Sequence, residues 1–208
     1  MATNMNTGVG RTDVPRADRI CDVRLATVNR IARLIVGGQT GLARLHRLSN
    51  AGVELSSIMI LQIGQIVQVD LSETISKRAT VIASDGDRHT LLFQHQIDCA
   101  ALLRELVAEA RSARARPLRL TTPATSVVGR SMNGFHQLEL GNISQGGMMV
   151  RHDGSFQEGL RVWVQLPNRR ECRGVVRWAK GDFAGLELID ILSVNELGAL
   201  SELGKGIN

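Results

Sequence analysis

Two stretches of this 208-residue chain, "GQIVQVDL" at 64–71 and "GLRVWVQL" at 159–166, alternate apolar and polar residues one by one. A period of two puts every second side chain on the same face, which predicts half-buried strands. "RGVVRWA" (173–179) and "FAGLELI" (183–189) read as further short strands, with Lys180-Gly181-Asp182 as the turn between them. Helical period appears only after each group of strands. In "IDCAALLRELVAEA", Ile97, Leu102, Leu103, Leu106 and Val107 make one apolar stripe. In "SVNELGALSEL", Ser193 and Glu196 stand at capping-box spacing ahead of Leu197, Leu200 and Leu203. Short strands at close spacing, bounded by Gly or Asn, predict small antiparallel barrels. The coarse order is barrel, helix, barrel, helix.

The pattern occurs twice because the sequence does. An ungapped offset of 95 residues lays Arg16, Arg19, Arg24, Leu25 and Thr27 on Arg111, Arg114, Arg119, Leu120 and Thr122. It lays Leu45, Ser49 and Gly52 on Leu140, Ser144 and Gly147, and Gly64, Val67, Val69 and Leu71 on Gly159, Val162, Val164 and Leu166. Farther on, Arg78, Val81, Gly86, Asp87 and Leu91 fall on Arg173, Val176, Gly181, Asp182 and Leu186. Such self-similarity predicts two copies of one small domain. The expected organisation is a disordered tail over 1–15, a first barrel with its connecting helix over 16–110, and a second barrel with a C-terminal helix over 111–208. The fold class is mainly β: two tandem small antiparallel barrels, each followed by an α-helix.

One segment breaks the strand pattern. In "LELGNISQGGMMV" (138–150), Asn142 to Gly147 interrupt an apolar run with six small or polar residues, where a hairpin needs only about two. Turn chemistry accounts for Asn, Ser and Gly one at a time. It does not account for the arginines upstream in "RSARARPLRLTT" (111–122). The formal charge is +5, and of the 25 basic residues all but Lys77, Lys180 and Lys205 are arginine, whose planar fork suits phosphates and purine edges. Nonspecific nucleic-acid binding ranks last, given the small charge, the lack of Tyr and the absence of an aromatic stacking series. Cys21, Cys99 and Cys172 lie too far apart in sequence for a metal or disulfide framework. His46, His89, His95, His136 and His152 show no ligand spacing and read as surface or loop residues. Trp163 and Trp178 alternate with apolar neighbours and read as packing residues. No apolar run is long enough to span a bilayer, no secretory signal is read and no catalytic motif emerges. A cytoplasmic, non-enzymatic protein without metal or cofactor is expected.

These residues resemble the PilZ family, bacterial receptor domains for cyclic di-GMP. The family pattern is an arginine-rich stretch, usually Arg-x-x-x-Arg, then a strand, then (Asp/Asn)-x-Ser-x-x-Gly. The second element stands intact as Asn142-Ile143-Ser144-Gln145-Gly146-Gly147. After it come Phe156-x-x-Gly159, "V-x-V-x-L-P", "GVVRW" and "GLEL" in order. The arginine spacing departs: Arg114 to Arg119 is one residue longer than the family's, and Arg116 to Arg119 one shorter. The resemblance implies a ligand site of Arg114, Arg116, Arg119, Asn142, Ser144, Gly146 and Gly147, with Arg116 and Arg119 closing over the ligand and Arg114 as substitute. An arginine fork meets guanine O6 and N7 with parallel bonds. The Asn142 amide oxygen would accept from guanine N1 and N2, and the glycines would let backbone approach a flat base. The first copy is degenerate, with Arg47 at the Asp/Asn position. Arg19, Arg24, Arg47, Ser49 and Gly52 would form a second site there.

The function implied is a cyclic di-GMP effector that changes its inter-domain arrangement on binding and regulates a protein partner in motility, secretion or exopolysaccharide production. The alternative is a PilZ-like protein-interaction module that takes no nucleotide. Homo-oligomerisation is left open.

Overall fold

The computed structural model describes residues 26–112 and 117–203. The expected tail over 1–15 lies outside them, as do Arg19, Arg24, Arg114 and Arg116. The strands β1 (Ala26–Val36), β2 (Gln39–Leu48), β3 (Gly52–Ser56), β4 (Ile66–Asp70), β5 (Ser76–Asp85) and β6 (Arg88–Phe93) close into an antiparallel barrel in the order β1-β2-β3-β6-β5-β4. Helix α1 (Cys99–Arg111) follows. The second barrel repeats that circuit with β7 (Leu120–Ser131), β8 (Gly134–Ser144), β9 (Gly147–Arg151), β10 (Arg161–Gln165), β11 (Glu171–Lys180) and β12 (Phe183–Leu188), and α2 (Val194–Leu203) follows it. Closure leaves neither sheet an open edge. The expected mainly-β tandem architecture is the observed one.

Alternation supplies both cores. Val67 and Val69 of β4, and Val162 and Val164 of β10, point inward and are buried. The 95-residue offset extends to irregularities: β2–β3 and β8–β9 shift register between Leu45 and Arg47 and between Leu140 and Asn142. It slips at one place. In the first barrel Ala26 and Thr27 pair with Leu48 and Arg47, whereas in the second Leu120 and Thr121 pair with Ile143 and Asn142. Thr27 therefore corresponds to Thr121 rather than to Thr122. The break in β7, between Thr121 and Thr125, holds one residue more than that in β1 and contains Pro123, which has no N–H for the ladder.

Asp98 caps α1, its carboxylate accepting from the Ala101 N–H at 2.9 Å. At α2 the expected capping box is present: Glu196 N–H donates to Ser193 Oγ at 3.2 Å, and Ser193 N–H to Glu196 Oε2 at 2.8 Å. The two helices differ in what covers them. Leu102 and Leu106 of α1 join the first core. Leu197 and Leu200 of α2 join the second core, together with Leu42 from the outer face of β2. Where α1 carries Leu103, α2 carries Gly198, and a Cβ there would lie 2.7 Å from Ile58 of the first barrel. That glycine lets the first barrel close onto α2. Burying Leu42 in this contact contributes about 2 kcal/mol by transfer from water.

The histidines depart from expectation. His89, His136 and His152 are buried. His136 lies edge-on to Phe156 with centroids 5.1 Å apart, and His152 stacks on the same ring at 5.0 Å. Ser131 and Ser155 hydroxyls hold the two ring nitrogens of His136. These rings pack as core residues, with both nitrogens of His136 satisfied and Nε2 of His89 and of His152 buried without a partner among the described residues, which spacing alone does not reveal.

Candidate functional site

The six-residue interruption forms the junction of β8, β9 and the approach to α2. Asn142 sits beside the bulge at Gly141 and pairs across to Met149 and Thr121. The Ser144 hydroxyl donates to the Gly147 carbonyl at 3.1 Å, locking the turn. The carbonyls of Gly146 and Gln145 accept from Leu188 N–H and Leu192 N–H, each at 2.9 Å. Gln145 Nε2 adds a bond to the Leu192 carbonyl. The turn thus anchors the chain leading into α2. The first barrel keeps this frame, with Ser49 Oγ to the Gly52 carbonyl and Ile97 N–H to the Asn50 carbonyl. Ser and the final Gly serve the turn in both copies. That much follows the turn chemistry of these residue types.

Beside the second turn lies a cavity of about 340 Å³. Arg119, Ser144, Gly146 and Gly147 line one part of it; Arg177, Trp178 and Gly185 line another. Gly147 is tight, since a Cβ there would stand 3.0 Å from the Leu186 carbonyl, while Gly146 has open space. Asn142 is one contact removed: its Nδ2 meets Sδ of the cavity-lining Met149 at 3.7 Å. Its Oδ1 is buried without a hydrogen-bond partner among the described residues. Such an orphaned acceptor is costly.

The far wall escaped the sequence reading. Trp178 is 44% exposed and its indole lies over Gly185, where a Cβ would come within 2.0 Å of Nε1. Arg177 is ion-paired with Glu187. The first barrel has Ile82, Ala83, Thr90 and Leu92 at the positions of Arg177, Trp178, Gly185 and Glu187. At three of these positions, Arg177, Trp178 and Glu187, the repeat changes from apolar or small to charged or aromatic, which was the available signal.

The second candidate set is arranged otherwise. Arg47 faces Glu54 at 3.7 Å across the bulge. Gly52 is closed off, because a Cβ would lie 2.2 Å from the Leu91 carbonyl. Cys99 and Cys172 are buried free thiols, and burial pushes both up from the ordinary thiol value. Among the described residues no His/Cys/Asp/Glu group could hold a metal ion, and no helix is long and apolar enough to cross a membrane.

The PilZ domain family model matches residues 108–203. No curated protein matches the chain. Among solved structures it is similar to the Borreliella burgdorferi PlzA protein in complex with c-di-GMP, at 11% identity over 86% of this chain and 88% of that one, with a TM-score of 0.41. It is similar also to the Bacillus subtilis inhibitor of motility MotI/DgrA (19% identity, 86% and 96% covered, TM-score 0.33). A third is Escherichia coli YcgR in complex with c-di-GMP (14% identity, 85% and 81% covered, TM-score 0.30). Residues 108–203, which run from the end of α1 through the second barrel and α2, are a PilZ domain.

Proposed function

We propose that the rim of the second barrel binds cyclic di-GMP and that the protein is a second-messenger effector. The observation that carries this reading is the meeting of Arg119, Ser144, Gly146 and Gly147 on one cavity, with Trp178 across from them. Arg119 offers a bidentate fork to a guanine edge or a phosphate. Asn142 supplies an acceptor for guanine N1 and N2, and the exposed indole a platform for a base. Arg114 and Arg116, on the connector just before Pro117, complete the set. In this reading residues 111–208 are the binding domain, and 16–110 form a degenerate copy whose Arg19, Arg24, Arg47, Ser49 and Gly52 are a lesser site. Ligand draws the connector onto the rim, and the altered placement of the barrels is read by a protein partner in motility, secretion or exopolysaccharide control, in the cytoplasm. Calorimetry with the purified chain tests it: micromolar or tighter binding is expected, lost in Arg119→Ala and Asn142→Ala with the fold intact. No heat at micromolar ligand would end the reading. The alternative, an interaction module that takes no nucleotide, draws on the Arg47–Glu54 pair, and partner capture indifferent to cyclic di-GMP would favour it.

A further inference from the structure

The outer face of β4, β5 and β6 in the first barrel is aliphatic and uncovered. Ile66 pairs with Thr80 and Thr80 with Leu92, so the three share the outward side, next to the buried inward row of Val67, Ala79 and Phe93. Ile82 follows at the bulge between Val81 and Ala83. The turn that carries Ile63 is tied to this bulge, because its Gly64 N–H donates to the Val81 carbonyl at 2.8 Å. Ile63 is 64% exposed and Ile66 57%. Isolated exposed isoleucines are ordinary, whereas a contiguous set marks a surface that meets something.

The second barrel treats the same face differently. At the positions of Ile63, Ile66, Ile82 and Leu92 it carries Glu158, Arg161, Arg177 and Glu187. The barrel fold therefore does not require aliphatic residues there. The first copy has given up the polar wall that its counterpart keeps and presents an apolar one.

Charge order along β5 indicates what covers this face. Arg78 stands outward at one end, opposite Gln68, and Asp85 outward at the other, opposite Arg88. Asp87 follows in the turn, so that end has two carboxylates against one guanidinium. Arg78 and Asp85 are both exposed, and among the described residues neither makes an ion pair. Midway between them lie Val81 and Ile82. A two-fold axis crossing β5 at that point lays Arg78 of each copy opposite Asp85 of the other and isoleucine on isoleucine between them. Self-complementarity of this kind is what an isologous contact requires. In the second barrel the corresponding ends are Arg173 and Lys180, two cations, and the same operation would oppose like charges.

We propose that the β4–β5–β6 face of the first barrel binds a second copy of this chain, forming a two-fold homodimer with an isoleucine centre and an Arg78–Asp85 pair at each end. The contact needs no ligand and is independent of the rim reading.

Sedimentation of the full chain, without cyclic di-GMP, tests it. A dimer is expected at about 100 µM, and Ile66→Asp converts it to a monomer with an unchanged circular dichroism spectrum. Arg78→Glu and Asp85→Lys each oppose like charges at both ends of the contact and weaken dimerisation at least about tenfold. The double variant Arg78→Glu with Asp85→Lys opposes unlike charges again and regains most of the lost affinity, which a role confined to one chain's fold would not produce. A wild-type monomer at that concentration leaves the face to some other protein and overturns the proposal. So does a dimer indifferent to Ile66→Asp, or one that both single charge reversals weaken and the double variant fails to restore.

Discussion

Arg33, on the outer face of β1, donates from Nη1 to the backbone carbonyl of Arg119 at 3.1 Å. Its Nε meets the Asp70 carboxylate at 2.8 Å, and Nη1 also reaches Glu73 at 3.2 Å. One guanidinium of the first barrel therefore fixes the backbone of the residue that brings the proposed ligand fork to the second. Arg33→Met breaks that hold and leaves the Asp70 side chain, only 4% exposed, without its cation. Because Arg33 itself is one-fifth exposed, the expected loss of stability is about 2–3 kcal/mol, at or below the low end for a broken buried pair. Urea unfolding checks it. Cyclic di-GMP affinity falls severalfold in the same variant, through the loosened connector.

Asp70 makes the fold acid-sensitive in a defined window. Burial pushes its carboxyl up, but hydrogen bonds from Gln68, Ser76 and Arg33 and the Arg33 charge outweigh that and hold it below the ordinary carboxylate value of 3.8. A depressed folded-state value means the stabilisation is fully present above that ordinary value and is lost as pH falls through the folded one. Stability therefore drops as pH is lowered below about 4, and Asp70→Asn flattens that limb. Asp182 and Asp190 are also held low, by Arg151 and Arg173, but at exposed sites. Salt at about 1 M, where screening acts over roughly 3 Å, weakens the charge attraction in these exposed pairs more than that of Asp70.

The matching turn glycines separate fold from ligand. Gly52→Ala drives a Cβ into the Leu91 carbonyl at 2.2 Å, and backbone cannot step aside cheaply. A loss of about 1–3 kcal/mol is expected in thermal or urea unfolding, as for other overpacked sites. Gly146→Ala meets nothing within 4 Å and leaves stability within about 0.5 kcal/mol. In the proposed site it nevertheless intrudes on the ligand, so calorimetry of this stable variant shows weakened cyclic di-GMP binding. Unchanged affinity would place the ligand away from the turn.

The barrels were legible because a period of two is a property of single strands, and the repeat showed that each strand had a counterpart. The rim turn was legible for the same reason, since Ser144 and Gly147 answer to local hydrogen bonding that Ser49 and Gly52 repeat. What stayed hidden depends on partners distant in sequence. The slip at Pro123 is a pairing between β7 and β8, so an ungapped offset passes over it. Burial of His136 comes from Phe156 and Ser155, which its own neighbours do not announce. Trp178 looked like a core residue by alternation, yet the register shift between Val176 and Trp178 moves it off the inward phase.

That shift makes Trp178 a reporter. The chain has two tryptophans, and Trp163 lies beneath Arg130, whose guanidinium carbon is 5.2 Å from the ring centroid. Trp163→Phe leaves Trp178 as the single indole, on the wall of the rim cavity. Stacking of a guanine on it is worth about 1–3 kcal/mol, so Trp178→Ala weakens cyclic di-GMP binding by roughly fivefold to a hundredfold. In Trp163→Phe, added ligand quenches the remaining fluorescence along the same isotherm that calorimetry records. Gly185→Ala provides the control from beneath: its Cβ would stand 2.0 Å from the indole nitrogen and displace the ring. Quenching and affinity should then fall together. Heat of binding with no change in Trp178 emission would put the dinucleotide somewhere other than this rim.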